Sequence, residues 1–96
     1  MRVFISQPMA GRSNEELLAE RARIARKLRT MYEDIEIIDS LLFEPRGPVW
    51  LLGESIKLMD GADLVYFCRG WQRSRGCMVE YMTAGSYGID MIFERE

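Results

Sequence analysis

Short apolar runs alternate with longer stretches of helical spacing along the whole chain, and this alternation constrains the fold more than any other feature. The apolar runs fall at residues 2–6, 35–38, 63–68 and 89–93. Helical spacing fills residues 14–31, a second stretch from Pro48 to Gly61, and a third from Ser74 to Gly88. Strands joined by connections of that length cannot pair as hairpins. Each connection has to be a parallel crossover, and parallel crossovers are right-handed. The predicted product is a single α/β domain over residues 1–96, a three-layer sandwich on a four-stranded parallel sheet of flavodoxin-like order 2-1-3-4.

Local signals agree with that plan. Ser13-Asn14-Glu15-Glu16 reads as a capping box that opens the first helix. Leu17, Ile24, Leu28 and Met31 give that helix one apolar stripe. Its acids come early and its bases late, in the order that suits the helix dipole. Pro48 suits the first position of the second helix. Val49, Leu52, Ile56 and Met59 form the inward stripe of that helix, and Gly61 closes it. No internal repeat or linker interrupts the pattern.

Composition narrows the chemistry. The 96 residues are 48 % apolar, enough for one core. The net charge is -2, from 15 acids and 13 bases, which disfavours nucleic acid as a partner. Because the net charge of the chain is negative, the basic stretch Arg21 to Arg29 reads as a solvated helix face. No run approaches ~20 apolar residues, so no membrane span is expected. The first six residues are too short and too strand-like for a signal peptide. Cys68 and Cys77 are not a C-x-x-C pair, so two free thiols in a reducing cytoplasm are expected. The chain has no histidine. That removes Ser-His-Asp and Cys-His catalysis, most zinc chemistry and every imidazole acid-base step. No G-x-G-x-x-G or Walker lysine motif is present, so no cofactor and no metal is expected. Any catalysis must come from carboxylates, hydroxyls, thiols or backbone.

In a parallel sheet of this order, ligands bind beyond the carboxyl ends of the strands. That edge is built by the loops after Ser6, Asp39 and Cys68. The first loop supplies Ser6, Gln7, Pro8, Met9, Gly11 and Arg12 ahead of a helix N-terminus, where backbone amides attract anions. An ordinary turn with a solvated arginine fits the same residues. The third loop supplies Trp71, Ser74, Arg75 and Gly76, followed by Glu80 in the early turns of the third helix. A helix N-terminus favours an ionised carboxylate, and an ionised, partly desolvated carboxylate is what attack on a glycosidic carbon needs. On spacing alone, a solvated surface glutamate is the commoner outcome. Cys77 is read as a packing residue rather than a reactive thiol, and Asp63, at the opposite edge, as structural.

Taken in order, several segments resemble the nucleoside 2-deoxyribosyltransferase superfamily. They are the Phe4-Ile5-Ser6-Gln7-Pro8-Met9 start, the Gly11-Arg12 pair, Gly61-Ala62-Asp63-Leu64-Val65, the Gly70-Trp71 segment and Gly76-x-x-x-Glu80. The chain is similar above all to a compact bacterial and phage branch, and to the deoxynucleoside monophosphate N-glycosidases. The resemblance covers nearly the whole chain. It implies that Glu80 is the nucleophile, that Ser6, Gly11 and Arg12 line the sugar or phosphate side, and that Trp71 stacks on a base or packs as a core or interface aromatic.

The chain departs from the family at two points. Ser55 stands where those N-glycosidases carry an aspartate in the second helix. Glu54 is adjacent but about 100° away on the wheel, and Asp39 is another candidate acid. The family's fifth strand is also missing. The implied function is cleavage or transfer of the N-glycosidic bond of a (deoxy)nucleoside or its 5′-monophosphate. Two alternatives stay open: a silent nucleotide-binding module and an NAD-cleaving glycosidase. A homodimer or larger assembly is expected, through apolar surface at Trp50, Leu51, Met82 and Tyr87.

Overall fold

The computed structural model describes residues 1–95. The elements run β1 (Arg2–Ser6), α1 (Asn14–Met31), β2 (Glu36–Ile37), α2 (Pro48–Met59), β3 (Leu64–Phe67), α3 (Arg75–Ser86) and β4 (Asp90–Phe93), with a 3-10 turn at Trp71–Arg73. The sheet order is β2-β1-β3-β4, and all three pairings are parallel. This is the parallel order 2-1-3-4 that the alternation of elements predicts.

The register places β1 and β3 at the centre, with Val3 opposite Leu64 and Ser6 opposite Phe67. Both strands are covered on both faces, so they read as continuous apolar runs rather than alternating ones. Side-chain alternation then divides the core in two. Val3, Ile5, Leu64, Tyr66 and Cys68 meet Ile24 and Leu28 of α1 on one face. Phe4, Val65 and Phe67 meet Met59 of α2 and Ala84 of α3 on the other. The ladder extends one residue past each end of β3, where Asp63 N–H donates to Arg2 O and Cys68 N–H donates to Ser6 O.

The predicted caps form. Ser13 Oγ accepts from Glu16 N–H at 3.1 Å, and Pro48 opens α2. Gly61 follows α2 with φ +84°, and a Cβ there would lie 3.1 Å from Arg2 Nη1. Glycine suits that turn for its positive φ, and a side chain there would push the exposed Arg2 guanidinium aside.

Three expectations are corrected. Met31 and Val49 are not inward, being 48 % and 81 % exposed. An 18-residue helix spans ~27 Å, whereas a five-residue strand spans ~17 Å, so helix ends overhang the sheet. β2 covers only Glu36–Ile37, although Ile38 N–H still donates to Val3 O at 2.9 Å. Nor is the Arg21 to Arg29 stretch uniformly solvated. Arg21 and Arg23 are committed to partners, and Lys27 Nζ donates to the Tyr66 hydroxyl at 3.2 Å. Among the described residues, no helix is long and apolar enough to cross a membrane.

The overhang gives a direct test. Ile24→Ala removes a fully buried side chain and should cost about 2–5 kcal/mol. Met31→Ala should change stability by no more than about 0.5 kcal/mol. Urea unfolding of both variants measures the contrast, and equal losses would refute the packing described.

Candidate functional site

The carboxyl edge of the sheet joins Ser6 to Glu80. Ser6 ends the central strand β1 and is fully buried. Its Oγ donates to Glu80 Oε1 at 2.6 Å, across 74 residues of sequence. Glu80 shares the inward row of α3 with Cys77 and Ala84 and is only 7 % exposed. The solvated-glutamate outcome is thus excluded. Helical spacing from Cys77 to Ala84 was the signal that could have revealed this.

Burial pushes the Glu80 carboxyl up to about 7, with the Ser6 hydroxyl and the Arg21 charge pulling the other way. This corrects the expectation of a carboxylate ionised by the helix N-terminus. α3 begins at Arg75, and Glu80 is more than one turn in, where the dipole has faded. Desolvation dominates instead. The group is divided between protonated and ionised forms near neutral pH.

Arg21 is the site residue that sequence reasoning missed. It occupies the inward row of α1 between Leu17 and Ile24, where an apolar residue belongs. Its Nη2 donates to Ile38 O at 3.1 Å and to Ser40 Oγ at 3.4 Å. Burial lowers the guanidinium from its usual range, while Cys68, Asp39 and Glu80 counteract. Its position on the stripe was the available signal, but it was overridden by reading the basic run as one solvated face.

A cleft of about 440 Å³ opens between the first and third loops, lined by Pro8, Ala10, Arg12, Glu20, Arg69, Gly70, Arg73 and Ser74. Arg12 faces it, but its Nη1 already donates to Glu20 Oε1 at 2.7 Å and to Pro8 O at 3.0 Å. Gln7 turns inward rather than toward the cleft. Its Nε2 donates to Leu17 O and Glu20 Oε1, while its buried Oε1 has no partner. Ser74 caps α3, accepting from Cys77 N–H at 3.3 Å. Met9 and Arg75 are exposed, and Gly76 packs near Leu52. Gly11 turns the first loop at φ +74°. A second cleft, near Arg29 and Tyr32, lies at the opposite edge, away from Ser6 and Glu80.

Trp71 takes the aromatic-packing role. Its ring lies 5.3 Å from Phe67, 4.9 Å from Tyr81 and 5.0 Å from Phe93. Asp39 is exposed and is not hydrogen-bonded to Glu80. In α2, Glu54 pairs with Lys57 at 3.3 Å, and Ser55 is half-buried.

Glu94, just past β4, forms a second buried carboxylate that the sequence did not reveal. Its oxygens accept both Arg23 Nη groups, at 2.8 and 3.3 Å, and Arg69 N–H at 3.0 Å. Burial alone would raise this carboxyl, but the arginine fork and the amide hold it below the usual range. Glu20, Cys68 and Glu94 bring three donor atoms within 4.8 Å of one another. Both carboxylates are already occupied by arginines, and burial pushes the Cys68 thiol up, so the donor set is poorly suited to a cation. Cys77 is likewise raised by burial, in keeping with a packing role. Compared with known proteins, the chain matches no family model and no curated protein.

Burial of Glu80 has a measurable cost. Between pH 4.5 and about 7 the unfolded chain releases a proton that the folded chain keeps, so stability falls through this window and is level above it. Glu80→Gln removes that loss. The variant should match the wild type near pH 4.5 and exceed it by about 2–3 kcal/mol at pH 8. Urea unfolding at the two pH values reads the difference, and a pH-independent gap would contradict the assignment.

Proposed function

We propose that this chain cleaves or transfers the N-glycosidic bond of a (deoxy)nucleoside or its 5′-monophosphate, with Glu80 as the nucleophile. The observation that carries the reading is the buried Glu80 carboxylate held at 2.6 Å by Ser6 on the central strand. A carboxyl group balanced near neutrality is ionised often enough to attack and is poorly solvated when it does. The resemblance to the nucleoside 2-deoxyribosyltransferase superfamily assigns the same role to Glu80.

In this reading the sugar enters from the cleft beside the first loop. Glu80 forms a bond to the anomeric carbon as the carbon–nitrogen bond breaks, and the base leaves with the electron pair. The resulting sugar ester passes to water or to a second base. Asp39, at the same edge, is the carboxyl group available for the departing base's proton. Arg12 and Arg69, which line the cleft and pair with Glu20 and Glu94, are cationic groups that a substrate phosphate would meet. The proposed assembly is a homodimer or larger, using exposed Trp50, Met82 and Tyr87. A strict monomer by light scattering at high micromolar concentration would reject that assembly.

Mixed deoxynucleosides, deoxynucleotides and NAD, each incubated with the protein, test the activity through released bases read by mass spectrometry. Nucleobase release is expected. Release of nicotinamide alone would assign NAD cleavage, and binding without release a silent module. On a confirmed substrate, Glu80→Gln should lower turnover by roughly 10³-fold or more while binding persists. A 2-fluoro-2-deoxy sugar with a good leaving group should leave an adduct on the peptide that holds Glu80. Full activity in Glu80→Gln would end the nucleophile assignment.

A further inference from the structure

Two carboxylates lie side by side next to the cleft. Glu20 and Glu94 each bring an oxygen within 4.8 Å of the other. Like charges so close need a cation between them, and Arg23 of α1 stands there. Its fork is committed to Glu94, with Nη1 and Nη2 donating to the carboxylate at 2.8 and 3.3 Å. Glu20 receives only the longer reach of Nη2, 4.0 Å from its Oε2. The Oε1 of Glu20 serves the first loop instead. It accepts from Arg12 Nη1 at 2.7 Å and from Gln7 Nε2 at 2.9 Å. Arg12 Nη1 also donates to Pro8 O at 3.0 Å, so Glu20 and the loop backbone hold that guanidinium together.

We propose that Glu94 is a positioning residue for the cleft: by holding Arg23 it keeps the Glu20 carboxylate for Arg12, and so fixes the Arg12 guanidinium at the cleft wall. Glu94 itself stands behind that wall. Its side chain is 3 % exposed and does not line the cleft, so it acts through Arg23 rather than on a ligand. Main-chain bonds seat it there. Its own N–H donates to Phe67 O at 2.9 Å, and its Oε1 accepts from the Arg69 N–H at 3.0 Å. The charges then alternate from Arg12 through Glu20, Arg23 and Glu94 to Arg69, and both cationic ends line the cleft. Without the Glu94 charge, Arg23 turns to Glu20, three residues away on the same helix, and competes with Arg12 for it. The service to a substrate phosphate rests on the glycosidase reading, whereas the ordering of Arg12 does not.

The ordering of Arg12 can be measured without substrate. Nitrogen-15 relaxation of its Nε–H reads the mobility of the side chain, with Arg12→Lys identifying the signal. Glu94→Gln keeps the volume and an acceptor for the Arg69 amide but removes the charge that holds Arg23. The Arg12 order parameter should then fall below about 0.6 from a more rigid wild-type value. Adding Arg23→Met removes the competitor, and Arg12 should regain its order. A clasp that merely stabilises the fold gives no such rescue, since the second change removes a further bond. Arg23→Met alone, at a half-exposed side chain, should leave Arg12 ordered, and it decides the question if Glu94→Gln fails to fold. Unchanged Arg12 order in folded Glu94→Gln, no recovery in the double variant, or loosening in Arg23→Met overturns the proposal. On a confirmed substrate, Glu94→Gln should raise KM for the monophosphate about tenfold with kcat within about twofold of the wild type. The double variant should restore that KM, and KM for the unphosphorylated nucleoside should hold throughout. A monophosphate KM that stays put beside a loosened Arg12 overturns the proposal too. Loss and rescue of Arg12 order without base release by the wild type would reject the glycosidase reading and leave Glu94 in its role toward Arg12. Base release with an unmoved Arg12 would do the reverse.

Discussion

Strands β1 and β3 lie side by side with both faces covered, and the placement of every other element follows from that pairing. Helices are needed on both faces because neither central strand has a wet side. α1 covers one face, while α2 and α3 share the other. The helix starts and strand ends then gather at one edge, which is where Ser6, Arg21, Ser74 and Glu80 are found. The site is a by-product of the parallel crossover before it is anything chemical.

At that edge two carboxyl groups are both buried and differ in charge preference. Glu80 meets one hydroxyl by hydrogen bond and one arginine only through its field, so desolvation dominates. Glu94 receives a guanidinium fork and a backbone amide, so its ionised form is favoured. Partner number and depth of burial both separate them, Glu80 being the deeper and the less partnered. The contrast also explains how a chain without histidine can place an ionisable group near neutrality. It withholds charged hydrogen-bond partners from a buried glutamate while giving them to Glu94.

Much of the fold was legible because its signals are local. Ser13 and Pro48 announce helix starts within four residues of themselves, and the alternation of elements fixes the crossovers. Sheet order followed from the general behaviour of such crossovers. The reading failed where a side chain's fate depends on distant structure. Met31 fits its stripe, yet it overhangs a sheet whose strands are shorter than α1, and Val49 is exposed in the first turn of α2. Arg21 and Arg23 look alike in sequence, but one reaches the end of β2 and the other reaches Glu94, 71 residues away. Glu80 was singled out by its place in the chain, but its burial depends on how α3 rolls against β1, which spacing alone had left undecided. Trp71 had two readings, and in the structure its ring packs against Phe67, Tyr81 and Phe93.

The hydrogen bond between Ser6 and Glu80 spans 74 residues, and the Arg23–Glu94 fork spans 71. Contacts of such high sequence separation carry a large loop-closure cost. α1 and its cap can order early from local interactions, but neither carboxylate can reach its partner until α3 and β4 have docked. In an unfolded chain Glu80 lies in water, where it is an ordinary acid. The distinctive chemistry of this edge therefore exists only in a chain whose topology is complete.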